Sequence, residues 1–506
     1  MKLISLFISI LLCSILHGQE LYTSDTIAME TDKASTLAVK GRDGAYLLVK
    51  TKHLLHIYDC NKAYRLSLPR NKNLDDLPNS NQLCGAEAIG GILTVILTDA
   101  KTRHFTVVQY DRHSGAFLPP YHFDMEDILY VSHFVHDDHL AVLGIKKNSS
   151  LLSVFSFDTA GHGRSMKFDL STEKFDGKPL DLQYFIDDGG HVLHKYLPDV
   201  YYTELETRCL SKLYVHANEL FIVMNKSLET TELVRLDLRM GGYDHYSVPI
   251  ALQNTKHYTI SDVATFMLGH RLYTAALYNR QLEVSVYDHD SRSFIRRWGP
   301  AQASIDSLAS SPYLYENFKK ATTDTLTAKK FFSKLSLLSI AANLNAKGDV
   351  DLIIGMPVES SGGPFGDMLL PGVKPSDYGM GLAPAIGMPP EGVMNDGPEM
   401  ASAAGGFPVG IPTMPMMMPQ TMWFFPMMNG SEPTVNKHCY FYTTLDTTTY
   451  QRAAPSQQLI AYTKMRSKYF AVHEAAQNIS VLNCGTYFVL GDYYPDQLRY
   501  CFRLYK

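Results

Sequence analysis

The sequence predicts an all-β chain built from small repeated sheets, and three observations predict it. A two-strand pattern recurs at near-constant spacing, each recurrence ends on an aspartate, and the paired segments are rich in β-branched and aromatic residues at period two. The pattern occupies 45–49 and 54–58 before Asp59, then 93–97 and 105–110 before Asp111. It returns at 140–145 and 152–157 before Asp158, at 220–224 and 233–236 before Asp237, and at 272–277 and 282–287 before Asp288.

Each such unit has an apolar face that it cannot bury alone, so units of this kind stack. The spacings from Asp59 through Asp111, Asp158 and Asp237 to Asp288 are 52, 47, 79 and 51 residues. Three of them lie near the roughly 40–50 residues of one β-propeller blade. The long one leaves room for an insertion over 175–208. The aspartate follows the third strand of a unit, where its carboxylate can accept from the backbone N–H groups of the turn. Further on, 350–358 and 438–445, followed by Asp446, read as a sixth copy split by a long insertion. The segments 481–490 and 498–505 read as a last hairpin, closed by an N-terminal strand near 36–40. Between 302 and 342, Ala, Lys and Leu spacing reads as a helical excursion, from Leu326 onward. The expectation is an all-β β-propeller of about seven blades with a short helical excursion and a long low-complexity insertion. Two stacked β-sandwich domains would share the strand content but lack the even spacing.

Compartment is read from the first residues. Met1-Lys2 gives a positive start, 3–16 is an almost unbroken apolar run, and Gly18 precedes the polar Gln19-Glu20. This is the layout of a secretory signal peptide and predicts a secreted, extracellular chain. The run is shorter than the roughly 20 residues of a permanent span, and no membrane span is expected later. Residues 1–18 are thus read as signal peptide and 19–359 as blades one to six in part. The insertion takes 360–432, and 433–506 holds the remaining blade strands and the closure. With 46 Lys and Arg against 51 Asp and Glu, the net charge is −5. The charges are mixed along the chain, which gives no basic face for nucleic acid.

Six cysteines follow the signal peptide: Cys60, Cys84, Cys209, Cys439, Cys484 and Cys501. An even count in an oxidising compartment predicts disulfides, with Cys60–Cys84 and Cys484–Cys501 favoured as local pairs among the 15 possible pairings. Asn148, Asn225, Asn429 and Asn478 each open an N-x-S/T sequon and are candidate glycan acceptors.

The insertion is a compositional break. Twelve of the 21 methionines fall between Met368 and Met428, among many Gly and Pro residues that hold neither ladder nor helix. Thioethers are soft ligands for Cu(I), but no His or Cys accompanies them there. Such a composition reads first as a disordered or loosely packed loop projecting from one blade. Alternatively, flexible methionines with Trp423, Phe424 and Phe425 make an adaptable apolar surface suited to self-association.

One motif resembles a known family. Asn343-Leu344-Asn345-Ala346-Lys347-Gly348-Asp349-Val350-Asp351, followed by an apolar run and Gly355-Met356-Pro357, resembles the integrin-type FG-GAP repeat loop. The resemblance implies a propeller and a calcium loop, with Asn343, Asn345 and Asp351 at its first, third and ninth positions and Gly348 as its turn glycine. Lys347 stands at the fifth position, where an oxygen ligand belongs, and an ammonium opposes the cation. The cluster His133, His136, Asp137, Asp138 and His139 reads as a polar turn between strands rather than a metal set, and His289 reads as the turn after a blade strand. His473-Glu474 lacks the second histidine of a zincin, and neither a Gly-x-Ser-x-Gly elbow nor a phosphate-cradling loop is present.

No catalytic residue and no cofactor is expected. The composition points to a secreted, non-enzymatic extracellular protein, a binding or matrix component such as part of a shell, cuticle or capsule. Its partner would be an extracellular protein or glycan. The alternatives are a secreted propeller hydrolase acting on glycans or esters, marked by convergent carboxylates in the axial channel, and an adhesion or receptor-associated subunit.

Overall fold

In a computed structural model of the chain, the described residues run from 25 to 357 and from 437 to 505. The longest breaks within them are 184–192, 251–259 and 464–476. The predicted signal peptide, the insertion and Asn429 lie outside the described residues. The described elements form eight sheets, of which seven have four or more strands and one has two.

Sheets 1 to 5 follow the chain. Sheet 1 holds Ser35–Gly41, Gly44–Lys50, Leu54–Cys60 and Arg70–Asn73, each antiparallel to the next. Sheet 2 holds Gln82–Ile89, Ile92–Thr98, His104–Asp111 and Tyr121–Asp124, and sheet 3 holds Ile128–His136, His139–Lys146, Leu151–Phe157 and Gly163–Asp169. Sheet 4 holds Ser211–His216, Glu219–Met224, Thr230–Asp237 and Tyr243–Pro249, and sheet 5 holds Ile260–Leu268, Arg271–Tyr278, Gln281–Asp288 and Ser293–Trp298. The second and third strands of these five sheets are the recurring segments read from the sequence.

Cores lie between neighbouring sheets, because strand residues alternate between two covered faces. Val95 and Leu97 of sheet 2 pack on Leu48 and Ile57 of sheet 1, whereas Ile96 between them packs with Val142 and Leu140 of sheet 3. Ala141 and Leu143 face the other way, toward Ile222 and Leu236 of sheet 4. Sheets 4 and 5 share one larger cluster with the later strands Val350–Pro357 and Lys437–Leu445, and it includes Phe221, Leu233, Leu272, Val284, Leu352 and Phe441. Burial on both faces is why Ile92–Thr98 reads ILTVILT, buried at all but its first residue.

Sheet 6 confirms the split copy. Val350–Pro357 pairs antiparallel with Lys437–Leu445 across the insertion, and Ser339–Leu344 is the innermost strand. The stretch read as a helical excursion does carry a short helix after Leu326, and it also supplies two outer strands of the sheet. Tyr313–Asn317 supplies the strand outside Lys437–Leu445 and Thr322–Leu326 pairs outside it in turn. Two short helices, α1 (Ile305–Leu308) and α2 (Ala328–Phe332), flank them, α2 being capped by the Thr327 side chain.

The closure differs from its expected position. Sheet 7 holds Gln477–Asn483, Phe488–Tyr494 and Arg499–Tyr505, and its fourth strand is Asp25–Ala28. The segment at 36–40 instead lies in the innermost strand of sheet 1, because Gly41 and Gly44 turn it directly onto its own neighbour. Innermost strands of adjacent sheets touch, as between sheets 7 and 1, 1 and 2, 2 and 3, and 5 and 6. Consecutive antiparallel sheets packed face to face, with the last completed by a strand from the N-terminal side, make the chain a β-propeller.

The turn aspartates act as caps. Asp111 accepts from the backbone of His113, Asp158 from Ala160 and His162, Asp237 from Arg239 and Met240, Asp288 from Ser291, and Asp446 from Thr448 and Thr449. Asp59 does something else: its carboxylate takes a two-pronged bond from Arg112 at 2.7 and 3.1 Å.

Candidate functional site

In a propeller the innermost strands surround an axis, and that axis is where a substrate or ligand would be sought. Here the chain itself enters it. The long spacing between the third and fourth aspartates is used by a segment running from Leu193 to Glu204. Its strand His194–Tyr196 lies parallel to Ser211–His216, on the inner edge of sheet 4. A parallel neighbour needs a long crossover, which the inserted residues supply.

Two polar groups of residues fix this segment. On one side the Lys195 ammonium, 1 % exposed, donates to the Glu87 carboxylate on the innermost strand of sheet 2. His133 on sheet 3 places Nε2 3.5 Å from the same carboxylate, and its Nδ1 lies 2.5 Å from the Tyr130 hydroxyl. Burial, with the nearby Lys195 charge, holds His133 well below the ordinary histidine range, so it is neutral. Gly85 lies flat on this ring: a Cβ there would stand 2.0 Å from Cε1 of His133.

On the other side the segment meets sheet 6. The Tyr202 backbone N–H donates to Asn343 Oδ1 at 2.5 Å, and Asn343 Nδ2 returns a bond to the Tyr202 carbonyl at 2.8 Å. The Tyr201 hydroxyl donates to Asp351 at 3.2 Å. Glu204 and His438, both fully buried, lie 3.2 Å apart, and Ser339 donates to the Glu204 carbonyl. Between the two sides, Tyr196, Tyr202, Tyr214 and Phe266 pack ring on ring with centroids 4.9 to 5.7 Å apart. The cleft beside them is narrow and is lined by these rings with His216 and Met267.

The residues singled out from the sequence divide accordingly. Asn343, Asn345 and Asp351 do not converge as an open calcium loop. Asn343 serves the Tyr202 backbone, and Asn345 Oδ1 caps the turn N–H groups of Lys347 and Asp349 at 2.9 and 3.1 Å. Asp351, fully buried, accepts from Tyr201, Thr444, Ser456 and Asn345. Burial raises its carboxyl above the ordinary range while those donors pull the other way. The protein therefore supplies the donors that a cation would replace.

Cys84 and Cys439 are buried free thiols, so the expected Cys60–Cys84 bond is not formed. Cys84 sits on the innermost strand of sheet 2 with Ile96, Phe105 and Tyr130, whereas Cys60 ends the third strand of sheet 1. Burial pushes both thiols up to about 12. The side chains of Cys60 and Cys501, and residues Cys209 and Cys484, lie outside what is described. Asn148 is exposed on the turn between the second and third strands of sheet 3. Asn225 is 4 % exposed with both amide atoms bonded, to Thr265 at 2.6 Å and from Thr231 at 3.0 Å, which leaves no room for a glycan in the fold. The Asn478 side chain lies outside the described residues.

The cluster at 133–139 is a two-residue hairpin. Asp137 and Asp138 take positive φ of 48° and 56°, and His136 pairs with His139. His289 also lies on its expected turn, yet it meets His270 and Asp290, and His216 lies next to them. Burial holds His289 and His216 below the ordinary histidine range. Sequence reasoning missed His216 and His270; the available signal was that one ends a first strand and the other lies on the turn just after a first strand, in neighbouring repeats.

Among the described residues no helix is long and apolar enough to cross a membrane. No protein-family model matches the chain, and no curated protein matches it in sequence. Solved structures that it resembles include Hsv2 of Kluyvelomyces marxianus, at 8 % identity over 63 % of this chain and 76 % of that one with a TM-score of 0.29. Others are the Dos1 propeller (11 %, 67 % and 72 %, TM-score 0.27) and the β-propeller domain of the Trilobed protease from Pyrococcus furiosus (9 %, 63 % and 75 %, TM-score 0.29). Likenesses this distant say nothing about activity, and the class rests on the chain's own sheets.

Proposed function

We propose that this is a secreted, non-enzymatic extracellular protein, a binding or matrix component that engages a protein or glycan through its outer turns. The observation that carries the reading is the occupied axis. Among the described residues, the carboxylates that a propeller hydrolase would present there are committed: Glu87 to Lys195, Glu204 to His438, Asp262 to the Leu338 backbone N–H, and Asp351 to four hydroxyl and amide donors. A carboxylate held by internal partners in a sealed site is poorly placed for acid–base work on a substrate. Secretion is read from the leader, and Asn148, exposed on its turn, is the better placed to carry a glycan of the two sequons whose side chains are described. The Met-rich insertion is assigned to self-association within the matrix.

The test is fractionation of the native material in buffer, then chelator, then denaturant, followed by mass spectrometry of this chain. The expected result is extracellular recovery of a chain beginning near Gln19, concentrated in the fractions that resist buffer. The purified chain should bind on a glycan or matrix-protein array and turn over none of a panel of chromogenic glycosides and esters. Recovery from cells with the leader intact would overturn the secreted reading. Hydrolysis abolished by Glu87→Gln would overturn the non-enzymatic one.

A further inference from the structure

We propose that His270, His289 and Asp290, with His216 as a fourth donor, form a binding site for a divalent metal ion of the zinc class. The residues come from three hairpin turns of sheets 4 and 5. His216 ends the first strand of sheet 4, His270 lies between the first and second strands of sheet 5, and His289 and Asp290 lie between its third and fourth. First and third strands of an antiparallel sheet run in the same direction, so all three turns fall on one edge. Packing of sheet 4 on sheet 5 then brings them together.

The donor geometry is close to what an ion needs. Nδ1 of His270 lies 2.7 Å from one carboxylate oxygen of Asp290, and Nδ1 of His289 lies 3.1 Å from the other. One donor atom from each of the three residues lies within 4.8 Å of the other two. Donors around a tetrahedral zinc at about 2.0–2.1 Å stand about 3.3 Å apart, so the two close pairs open slightly and the widest, at no more than 4.8 Å, closes by up to about 1.5 Å. His289 is 3 % exposed, its ring packs 4.8 Å from Phe221, and it engages the Gly269 carbonyl.

His216 supplies the independent observation. Its ring lies 5.9 Å from that of His270, and its Nε2 is sealed from solvent with no hydrogen-bond partner among the described residues. A buried ring nitrogen without a partner is costly, and an ion between these rings would satisfy it. His270 and Asp290 are exposed, which gives the ion a route from solvent. Imidazoles with one carboxylate select zinc, copper(II) or nickel over magnesium and calcium.

The test uses the full-length chain, stripped with a chelator and titrated with Co²⁺ and then Zn²⁺. One Co²⁺ per chain should bind with a visible spectrum of nitrogen and oxygen ligands, and Zn²⁺ should displace it. Asp290→Asn and His289→Gln should weaken binding by about 100-fold or more, and His216→Gln by about 10-fold. His113→Gln and His162→Gln, on turns of sheets 2 and 3, should leave affinity unchanged. Melting curves without metal separate loss of a ligand from loss of the fold, and Asp290→Asn changes an exposed side chain with no change of shape. Wild-type affinity in a folded Asp290→Asn variant, or no uptake by the stripped chain, would overturn the assignment.

Discussion

The axis and the rim of turns use carboxylates in opposite ways. On the rim, Asp111, Asp158, Asp237 and Asp446 face solvent and accept from backbone N–H groups two to four residues ahead. Glu87 on an innermost strand and Asp351 on the strand beside one are buried and take partners from the axial segment 108 and 150 residues away, Lys195 and Tyr201. A rim aspartate stabilises its own turn, and the fold would survive without any one of them. An axial carboxylate ties distant parts of the ring to the segment that fills it, and its partner cannot be removed without leaving a charge in a poorly solvated place.

The comparison predicts an order of effects. Lys195→Met leaves Glu87 without its cation and should cost about 3–5 kcal/mol, the loss typical of breaking a buried pair from one side. Urea denaturation measures it, and the double variant with Glu87→Gln should recover most of the loss. If Lys195→Met melts like the wild type, the segment does not anchor the axis. Next, Asp351→Asn places an amide among hydroxyl and amide donors and should cost about 1–3 kcal/mol. Thr444→Val, removing one donor of the four, should cost less. Asp237→Ala should lower the melting temperature by less than either, since water can replace the carboxylate at the turn.

The same contrast decides what could be read from the sequence. Strand pairs in sheets 1 to 5 were legible because each repeats an apolar run, a turn and an aspartate, whose bond is local in sheets 2 to 5 and reaches Arg112 from Asp59 in sheet 1. The split sixth copy was legible for the same reason, through 350–358, 438–445 and Asp446. The axial segment was visible only as an over-long spacing, because Lys195, Tyr201 and Glu204 carry no local pattern. The closure was misplaced because two N-terminal strands, Asp25–Ala28 and Ser35–Gly41, compete for one role, and short strands are separated by pairing rather than composition. Cys84 was read as a disulfide partner because counting cysteines ignores which strand faces the core. The histidine cluster was missed since His216, His270 and His289 converge through the packing of two sheets and not through spacing in one.

Acidification sharpens the comparison most finely, with the smallest effect at any one site. His133 at the axis is held neutral, below its ordinary value of 6.5, by burial and by Lys195. A depressed folded-state pKa means that the unfolded chain takes up protons first, so this stabilisation is present above about 6.5 and drains away as pH falls below it. His216 and His289 act in the same direction, whereas His245, raised mainly by its bond to Glu232, works against them. The rim aspartates are depressed below the ordinary carboxylate range, Asp158 by the His162 backbone and Asp237 by that of Met240, so their contribution is lost only in stronger acid. Melting temperature against pH should therefore fall in two limbs, a histidine one beginning near neutrality, shared by axial His133 with His216 and His289 on the turns, and a rim-aspartate one below the carboxylate range. His133→Gln should flatten the first limb and leave the second, and Asp158→Ala the reverse. A first limb unchanged in His133→Gln would place the proton-sensitive core of the fold somewhere other than the axis.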